Sequence, residues 1–582
     1  MTELKKIAIL FGTQTGNSED IAERISRLIL RLNCKCFTSS LNDYLITRLI
    51  TETLVIFVCS TTGDGDFPDN MKTFWKFLLR KNLPCDSLSQ LHFCVLGMGD
   101  SSYDKFNVVA KKLNKRLLQL GATQLLPLAL ADDQHELGYD AVLDPWLRNL
   151  QDKLIDFYQL SGPFISEDNL LPSKFRIEFL ESVSNESIID PDFKNSEKCC
   201  ATLRCNERVT SADHFQAVHL LKFAIGSDLN YQPGDVAVVW PENPVDEVEE
   251  FLSLINVPQE SKFILVPRDP TIPLPKISPY PCTVRECATS YFDFLSVPRR
   301  SFFDIFYHFS KDELEKEKLK EFTTPAGQEE LYSYCNRPRR NILEVLKDFP
   351  QTTPFIPFEY FFDMIPCIRS RSFSIASSLS LHPNECHLLV AVVKYKTRLL
   401  KPRKGLCSNW LSKLPVGTTI PFSTKSGSIS LPKGDKPIIM VGPGTGCAPF
   451  RSFIQSRVVS GISENYLFFG CRNKAKDFFF HDEWNSLVKK NLLTLFTAFS
   501  RDQDDKIYVQ HKIAENEKLM WNLIDCRGAC IYVAGNAKQM PQGVRDAFLS
   551  IFQSEGGLDE KSSLRYLQSL ENRKQYQSET WA

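Results

Sequence analysis

At 582 residues the chain is too long for one domain; at roughly 150 residues each it holds about three or four. Its 69 Lys+Arg against 70 Asp+Glu exclude a general nucleic-acid binder, which would be markedly basic. The 18 cysteines form no CxxC pair and no Cys/His set at zinc spacing, so reduced thiols and no metal site are expected.

No apolar run approaches the ~20 residues of a membrane-spanning helix. The first strand pattern, KKIAILFG, starts within a few residues of Met1 and leaves no room for a signal peptide or anchor. A soluble, cytoplasmic protein is expected.

From residue 1 to 158, short apolar runs (IAILFG, TLVIFVCST, HFCVLGMGD, LLPLALADD) alternate with amphipathic stretches such as SEDIAERISRLILRL. Such runs predict parallel strands buried on both faces and covered by helices, with ligands at their carboxyl ends. Residues 159–197, including LSGPFISEDNLLPSK, read as a linker. Strand-like segments return over 198–432, interrupted at about 244–355 by a charged, helix-like insert (DELEKEKLKEF, NILEVLKDF), which predicts an antiparallel barrel with a helical insert. Residues 433–582 return to alternating strands and helices, in PIIMVG, NYLFFGC, LLTLFTAFS and ACIYVAGNA.

Two glycine-punctuated loops lie more than four hundred residues apart. In TQTGNSED, residues Thr13, Gln14, Thr15, Gly16, Asn17 and Ser18 offer hydroxyls and amides at a helix start, where the first N–H groups have no partner within the helix. The loop contains no lysine, so it is not a GxxxxGK[ST] phosphate loop; it suits a phosphate monoester held by hydrogen bonds. A Ser/Thr-rich turn also serves as a plain helix cap. STTGDGDFPDN and GMGDSSYDKFN stand at the same sheet edge, however, with glycines for close backbone approach and Tyr103 to stack on a flat ring.

This arrangement resembles the flavodoxin-like domain of diflavin reductases. The resemblance implies FMN, with Thr13 to Ser18 at its phosphate. Ser60, Thr61, Thr62, Gly63, Met98, Gly99, Asp100, Ser101, Ser102, Tyr103, Asp104, Lys105, Phe106 and Asn107 would surround the ring, and Asp133 would be a further contact. Thr62 stands where many relatives carry an aromatic, leaving one ring face less shielded.

RSFSIASS resembles the RxYS signature of ferredoxin-reductase-type FAD domains. The likeness puts Arg371 at the pyrophosphate, Ser372 and Phe373 along the flavin, and Ser374 beside the atom that accepts hydride. GLCSNWL resembles the companion loop, with Gly405, Leu406, Cys407 and Ser408 toward the FAD phosphates; Arg340 is expected from the insert. GPGTGCAPFR resembles the nicotinamide-nucleotide loop, centred on Thr445, at a helix N-terminus. Downstream, Ser500, Arg501, Lys506, Ile507, Tyr508, Val509 and Gln510 carry hydroxyls and cations suited to the 2′-phosphate of NADPH, against the alternative of a solvated turn with Asp502, Asp504 and Asp505. YVAGNAKQMP places Ala534 and Asn536 where many relatives carry Cys and Asp. In the ending ETWA, Trp581 resembles the aromatic that stacks on FAD and Glu579 takes the acidic position of a proton-handling group.

The resemblance covers nearly the whole chain. It implies a multidomain α/β protein: a flavodoxin-like doubly wound sheet, an antiparallel β-barrel FAD domain with helical insert, and a ferredoxin-reductase-type NADPH-binding domain. Electrons are expected to pass from NADPH to FAD to FMN and out singly. Within the family, the bare N-terminus, TTG, AGNAK and ETWA resemble the branch serving iron–sulfur protein assembly, whose acceptor is anamorsin. Acids near the FMN edge (Asp64, Asp66, Asp69, Asp100, Asp104, Glu136) would steer a basic patch on that acceptor, or form a solvated rim. Rival readings are a cytochrome-reductase-like or methionine-synthase-reductase-like enzyme and, in another class, a flavin-bound scaffold without catalysis.

Overall fold

The computed structural model describes residues 6–63, 65–103, 105–180 and 199–581. Its first sheet is parallel and has six strands: β1 (Lys6–Gly12), β2 (Lys35–Ser40), β3 (Leu54–Ser60), β4 (His92–Gly99), β5 (Thr123–Gln124) and β6 (Ala129–Asp132). The order is β2-β1-β3-β4-β5, with β6 also on β4, the doubly wound arrangement the alternation predicts. Side chains of β1 divide by the two-residue period of a strand. Ile7 and Ile9 pack under the helices Asn17–Arg31 and Asp140–Tyr158, while Ala8 and Leu10 pack under Lys72–Leu78 and Val108–Gln119.

The stretch read as a linker contains β7 (Phe175–Phe179). After it come three barrel strands, β8 (Cys199–Arg208), β9 (Val218–Ile225) and β10 (Val236–Val239). The insert is mostly helical, but it also holds β11 (Lys262–Pro267) and β12 (Cys282–Thr283), which join β7 in a sheet of order β12-β11-β7. Phe175 is buried at the start of β7, and this apolar anchor draws a Pro/Ser-rich stretch into regular structure. The insert core is rich in phenylalanine, with Phe251 and Phe294 stacked at 4.7 Å and Phe292, Phe358 and Phe362 edge-on or tilted around them.

The barrel resumes with β13 (Arg371–Ser374), β14 (Glu385–Ala391) and β17 (Thr419–Lys425); β15 (Lys394–Tyr395) and β16 (Arg403–Lys404) form a separate hairpin. The main sheet is antiparallel in order β13-β10-β17-β8-β9-β14. A bridge between Ile375 and Leu388 and the Ala376 N–H donated to the His387 carbonyl at 2.8 Å bring its two ends together. The last sheet comprises β18 (Ile438–Val441), β19 (Asn465–Cys471), β20 (Thr494–Phe499), β21 (Cys530–Asn536) and β22 (Tyr576–Trp581), all parallel in order β20-β19-β18-β21-β22.

These elements form two compact units. One comprises the first sheet with its helices and the insert; the other comprises the barrel and the last sheet. No disulfide joins any of the 18 cysteines among the described residues. Among the described residues no helix is long and apolar enough to cross a membrane.

Candidate functional site: two flavin edges and a nicotinamide loop

At the carboxyl edge of the first sheet, the chain leaves β1 and turns at Gly16, whose φ of 96° suits a residue without a Cβ. The Gly16 N–H donates to Thr13 Oγ1 at 2.9 Å, and the Thr13 N–H donates to Asn70 Oδ1 at 2.9 Å. Gln14 is fixed by a reciprocal pair with Asp69. Thr15 is exposed. The helix Asn17–Arg31 has no side-chain N-cap, and Ser18 Oγ is buried without a hydrogen-bond partner. Open amides and an orphaned buried hydroxyl are what a phosphate would satisfy, so this loop fits the group.

The other two loops meet at the same edge. Ser60 Oγ donates to the Gly12 carbonyl at 3.3 Å and the Thr61 N–H to the Met98 carbonyl at 3.2 Å. Thr62 pairs with Asp66 across a tight turn through Gly63 and Gly65, both at positive φ. Gly97 and Gly99 lie against buried Asn107, where an added Cβ would come within 2.7–2.8 Å of its amide. Asn107, at φ 53°, donates to the Ala131 carbonyl. Asp100 accepts from Ser102 and Gln134, and Ser101 N–H donates to Asp132. The Asp133 N–H donates to the Gly99 carbonyl, and burial, reinforced by Asp100, raises the Asp133 carboxyl above its usual range. Met98 is buried, Tyr103 and Phe106 are half-exposed, and Lys105 is exposed; Asp64 and Asp104 lie outside the described residues.

In the second unit, β13 brings Arg371, Ser372, Phe373 and Ser374 alongside Val239 to Val236 of β10. Arg371 is exposed, and among the described residues its guanidinium is bound only to the nearby carbonyls of Arg369 and Ser370. Gly405 precedes the helix Leu406–Lys413, and a Cβ there would sit 2.8 Å from Val393 Cβ. The Cys407 and Ser408 side chains are already used. Cys407 packs into the barrel core, where burial pushes its thiol up to about 12, and Ser408 Oγ accepts the Val393 N–H. What they and Leu406 present is therefore uncapped backbone amide. Arg340 belongs to the insert, where it pairs with Asp348 and lies over the Tyr334 ring at 4.3 Å.

Ser374 Oγ donates to Glu579 Oε2 at 3.0 Å, joining positions 205 residues apart. Glu579 Oε1 lies 3.5 Å from Ser428 Oγ. Burial raises the Glu579 carboxyl, and its hydrogen bonds to Ser374 and Ser428 oppose the rise. On β22, Glu579 is in register with Ala534 and Trp581 with Asn536 of β21.

After β18 the chain makes a short turn, Gly444–Gly446, around Thr445 and enters the helix Cys447–Val459. A Cβ on Gly446 would stand 2.1 Å from the Ala534 carbonyl oxygen, so this loop passes against β21 as only glycine permits. Beyond β20, Asp502 accepts from Asn473 and the Lys474 N–H. Arg501 and Lys506 are exposed and form no ion pair among the described residues. Ser500 is buried and its Oγ donates to the Cys471 carbonyl at 3.4 Å; Tyr508 is exposed and Gln510 half-buried. Val509 is in the core and Ile507 packs against it, leaving only their backbone for a ligand.

Residues far apart in sequence complete these loops: Asn70, which ends STTGDGDFPDN, at Thr13; Ser428 at Glu579; and Arg451, which ends GPGTGCAPFR. Arg451 donates to the Ala376 carbonyl at 2.7 Å and to His387 Nδ1, and pairs with Glu483 at 2.7 Å.

The chain matches the family descriptions Flavodoxin over residues 9–146, FAD binding domain over 191–410 and Oxidoreductase NAD-binding domain over 440–546. With the three sheets, these matches define a reductase that binds FMN, FAD and NADPH. It is 51% identical to "NADPH-dependent diflavin oxidoreductase 1" of Xenopus laevis, over 99% of this chain and 100% of the relative. The proteins of the same name in Mus musculus and Schizosaccharomyces pombe are 48% and 37% identical, each covered over at least 99% of both chains. The chain belongs to the NADPH-dependent diflavin oxidoreductase family. It is an oxidoreductase, transferring electrons from NADPH to flavin.

Proposed function

We propose that this enzyme reduces the iron–sulfur protein anamorsin in the cytosol, as an electron donor for iron–sulfur cluster assembly. When bound, NADPH supplies electrons in pairs and the two flavins convert them to single electrons for a one-electron acceptor. The chain's own residues hold and orient these groups. Thr13 to Ser18 bind the FMN phosphate through amides and hydroxyls, and the loops Ser60 to Gly63 and Gly97 to Asn107 grip the ring. Arg371 and the amides of Leu406 to Ser408 hold the FAD phosphates. Thr445 seats the nicotinamide side of NADPH, and Arg501 and Lys506 bind its 2′-phosphate. Trp581 covers the FAD ring.

The observation that carries the reading is the Ser374–Glu579 hydrogen bond. It puts a hydroxyl and a carboxyl with a raised pKa where the FAD strand β13 meets β22. There Glu579 can hold or release a proton through Ser374 as the flavin changes charge. Ala534, in register with Glu579, offers only a methyl and no exchangeable proton, so the proton path runs through Ser374 and Glu579, with Ser428 beside them.

Acidic groups at the FMN edge support a basic acceptor surface. Asp69 is paired with Lys72, while Asp100, Asp132 and Asp133 cluster at the loops after β4 and β6. The test is anaerobic reduction of purified anamorsin by NADPH and catalytic amounts of enzyme, followed by loss of the cluster's visible absorbance. Reduction of cytochrome c without reduction of anamorsin would reject the acceptor. Protein carrying only one flavin type would reject the electron route.

A further inference from the structure

Within the first unit, one cation reaches the FMN loop from outside the flavodoxin-like sheet. Arg299, the residue before the insert helix Arg300–Phe306, donates from Nη2 to Asn17 Oδ1 at 3.1 Å and to the Thr15 carbonyl at 3.4 Å. Neither its Nε nor its Nη1 makes a hydrogen bond among the described residues, so most of the guanidinium's five donors remain for a ligand.

The neighbouring residues hold Arg299 in place. Ser301 donates to Asp20 in the first turn of the helix Asn17–Arg31, and buried Arg300 pairs with Asp144 at 2.6 Å. Asp144 and Asp140 are shared with buried Arg24, so the start of the insert helix is clamped through three consecutive residues.

The loop needs such a cation. It contains none of its own, and the first helical turn carries Glu19 and Asp20, both repulsive to a phosphate dianion. Ser18 Oγ, fully buried and unpartnered, independently marks where an anion's oxygen belongs.

We propose that Arg299 is an FMN-phosphate-binding residue supplied by the insert, so that FMN affinity depends on the contact between insert and flavodoxin-like domain. The proposal rests on the reading of Thr13 to Ser18 as the phosphate loop. A guanidinium on a phosphate gives charge-assisted bonds, and losing them weakens binding about tenfold to a hundredfold.

The experiment titrates flavin-stripped full-length protein with FMN and, separately, with riboflavin, which has the ring but no phosphate, following quenching of flavin fluorescence. Arg299→Ala is expected to raise the FMN Kd by that factor and leave the riboflavin Kd unchanged. Arg299→Lys should recover part of the loss, and raising the salt concentration should narrow the gap between wild type and Arg299→Ala. An unchanged FMN Kd, or equal weakening of both ligands, overturns the proposal. Wild-type protein that binds FMN no more tightly than riboflavin instead overturns the phosphate-loop reading beneath it.

Discussion

Replacing Ser374 by alanine removes one of the hydrogen bonds that restrain the Glu579 carboxyl. The bond is 3.0 Å long and the carboxyl is already raised by burial, so its loss leaves the acid form still more favoured. A hydrogen bond to a charged group is worth about 1.5–3 kcal/mol, and one pH unit corresponds to about 1.4 kcal/mol. Glu579 is half-buried and keeps its contacts with Ser428, so the lower end applies: the anion loses about 1.5 kcal/mol of support and its pKa moves up. Stopped-flow reduction of the flavin by NADPH, recorded from acid to mildly alkaline pH, reads this directly. The inflection in the rate profile should move to higher pH in Ser374→Ala and vanish in Glu579→Gln. If the inflection stays in place in Ser374→Ala protein with a full complement of FAD, Glu579 is not the group being titrated and the proton path fails.

Arg501→Ala and Lys506→Ala should each raise the Kd for NADPH about tenfold, the low end expected for exposed charge-assisted contacts, and leave NADH unaffected; inhibitor titration with 2′-phosphorylated and unphosphorylated adenosine nucleotides checks this. Gly446→Ala forces a Cβ against the Ala534 carbonyl and should cost about 1–3 kcal/mol, seen as a lower Tm together with loss of NADPH binding. Burial holds His387 neutral, its pKa down at about 4, beside Arg451, His382 and Glu385. Between that value and the unfolded value of about 6.5, the unfolded chain binds more protons, so stability falls as pH drops through the window. His387→Gln should remove at most about 1.4 kcal/mol of that loss per pH unit, measured by denaturant unfolding across the window.

Buried strands were the most legible part of the sequence. β1, β3, β4 and β21 are nearly continuous apolar runs because helices cover both sides of their sheets, and the nucleotide loops follow directly from them. β2 carries no such signal, because KCFTSS is a half-buried edge strand without an apolar run. β7 carries none because its pairing partner, β11, lies far along the chain. The site shows the same division. Ser374 and Glu579 were each recognisable from the short strings around them, but their hydrogen bond is a product of topology. Ser428 and Arg299 carry no local signature, since each acts on a loop distant in sequence, and Asn70, though it ends STTGDGDFPDN, meets Thr13 only through the fold. Conversely, Cys407, Ser408 and Val509 looked like ligand contacts by position, whereas packing commits their side chains to the protein interior.

The strand β7 also sets a limit on movement. The helix ending at Tyr158 and the strand beginning at Phe175 are separated by sixteen residues, and Arg31 grips the carbonyls of Ser166 and Asn169 within that span. Fully unfastened and stretched, such a leash reaches about 55 Å. While Arg31 keeps its hold, the slack is shorter still. The stretch therefore keeps the end of the helix Asp140–Tyr158 within that distance of β7 in any arrangement of the chain.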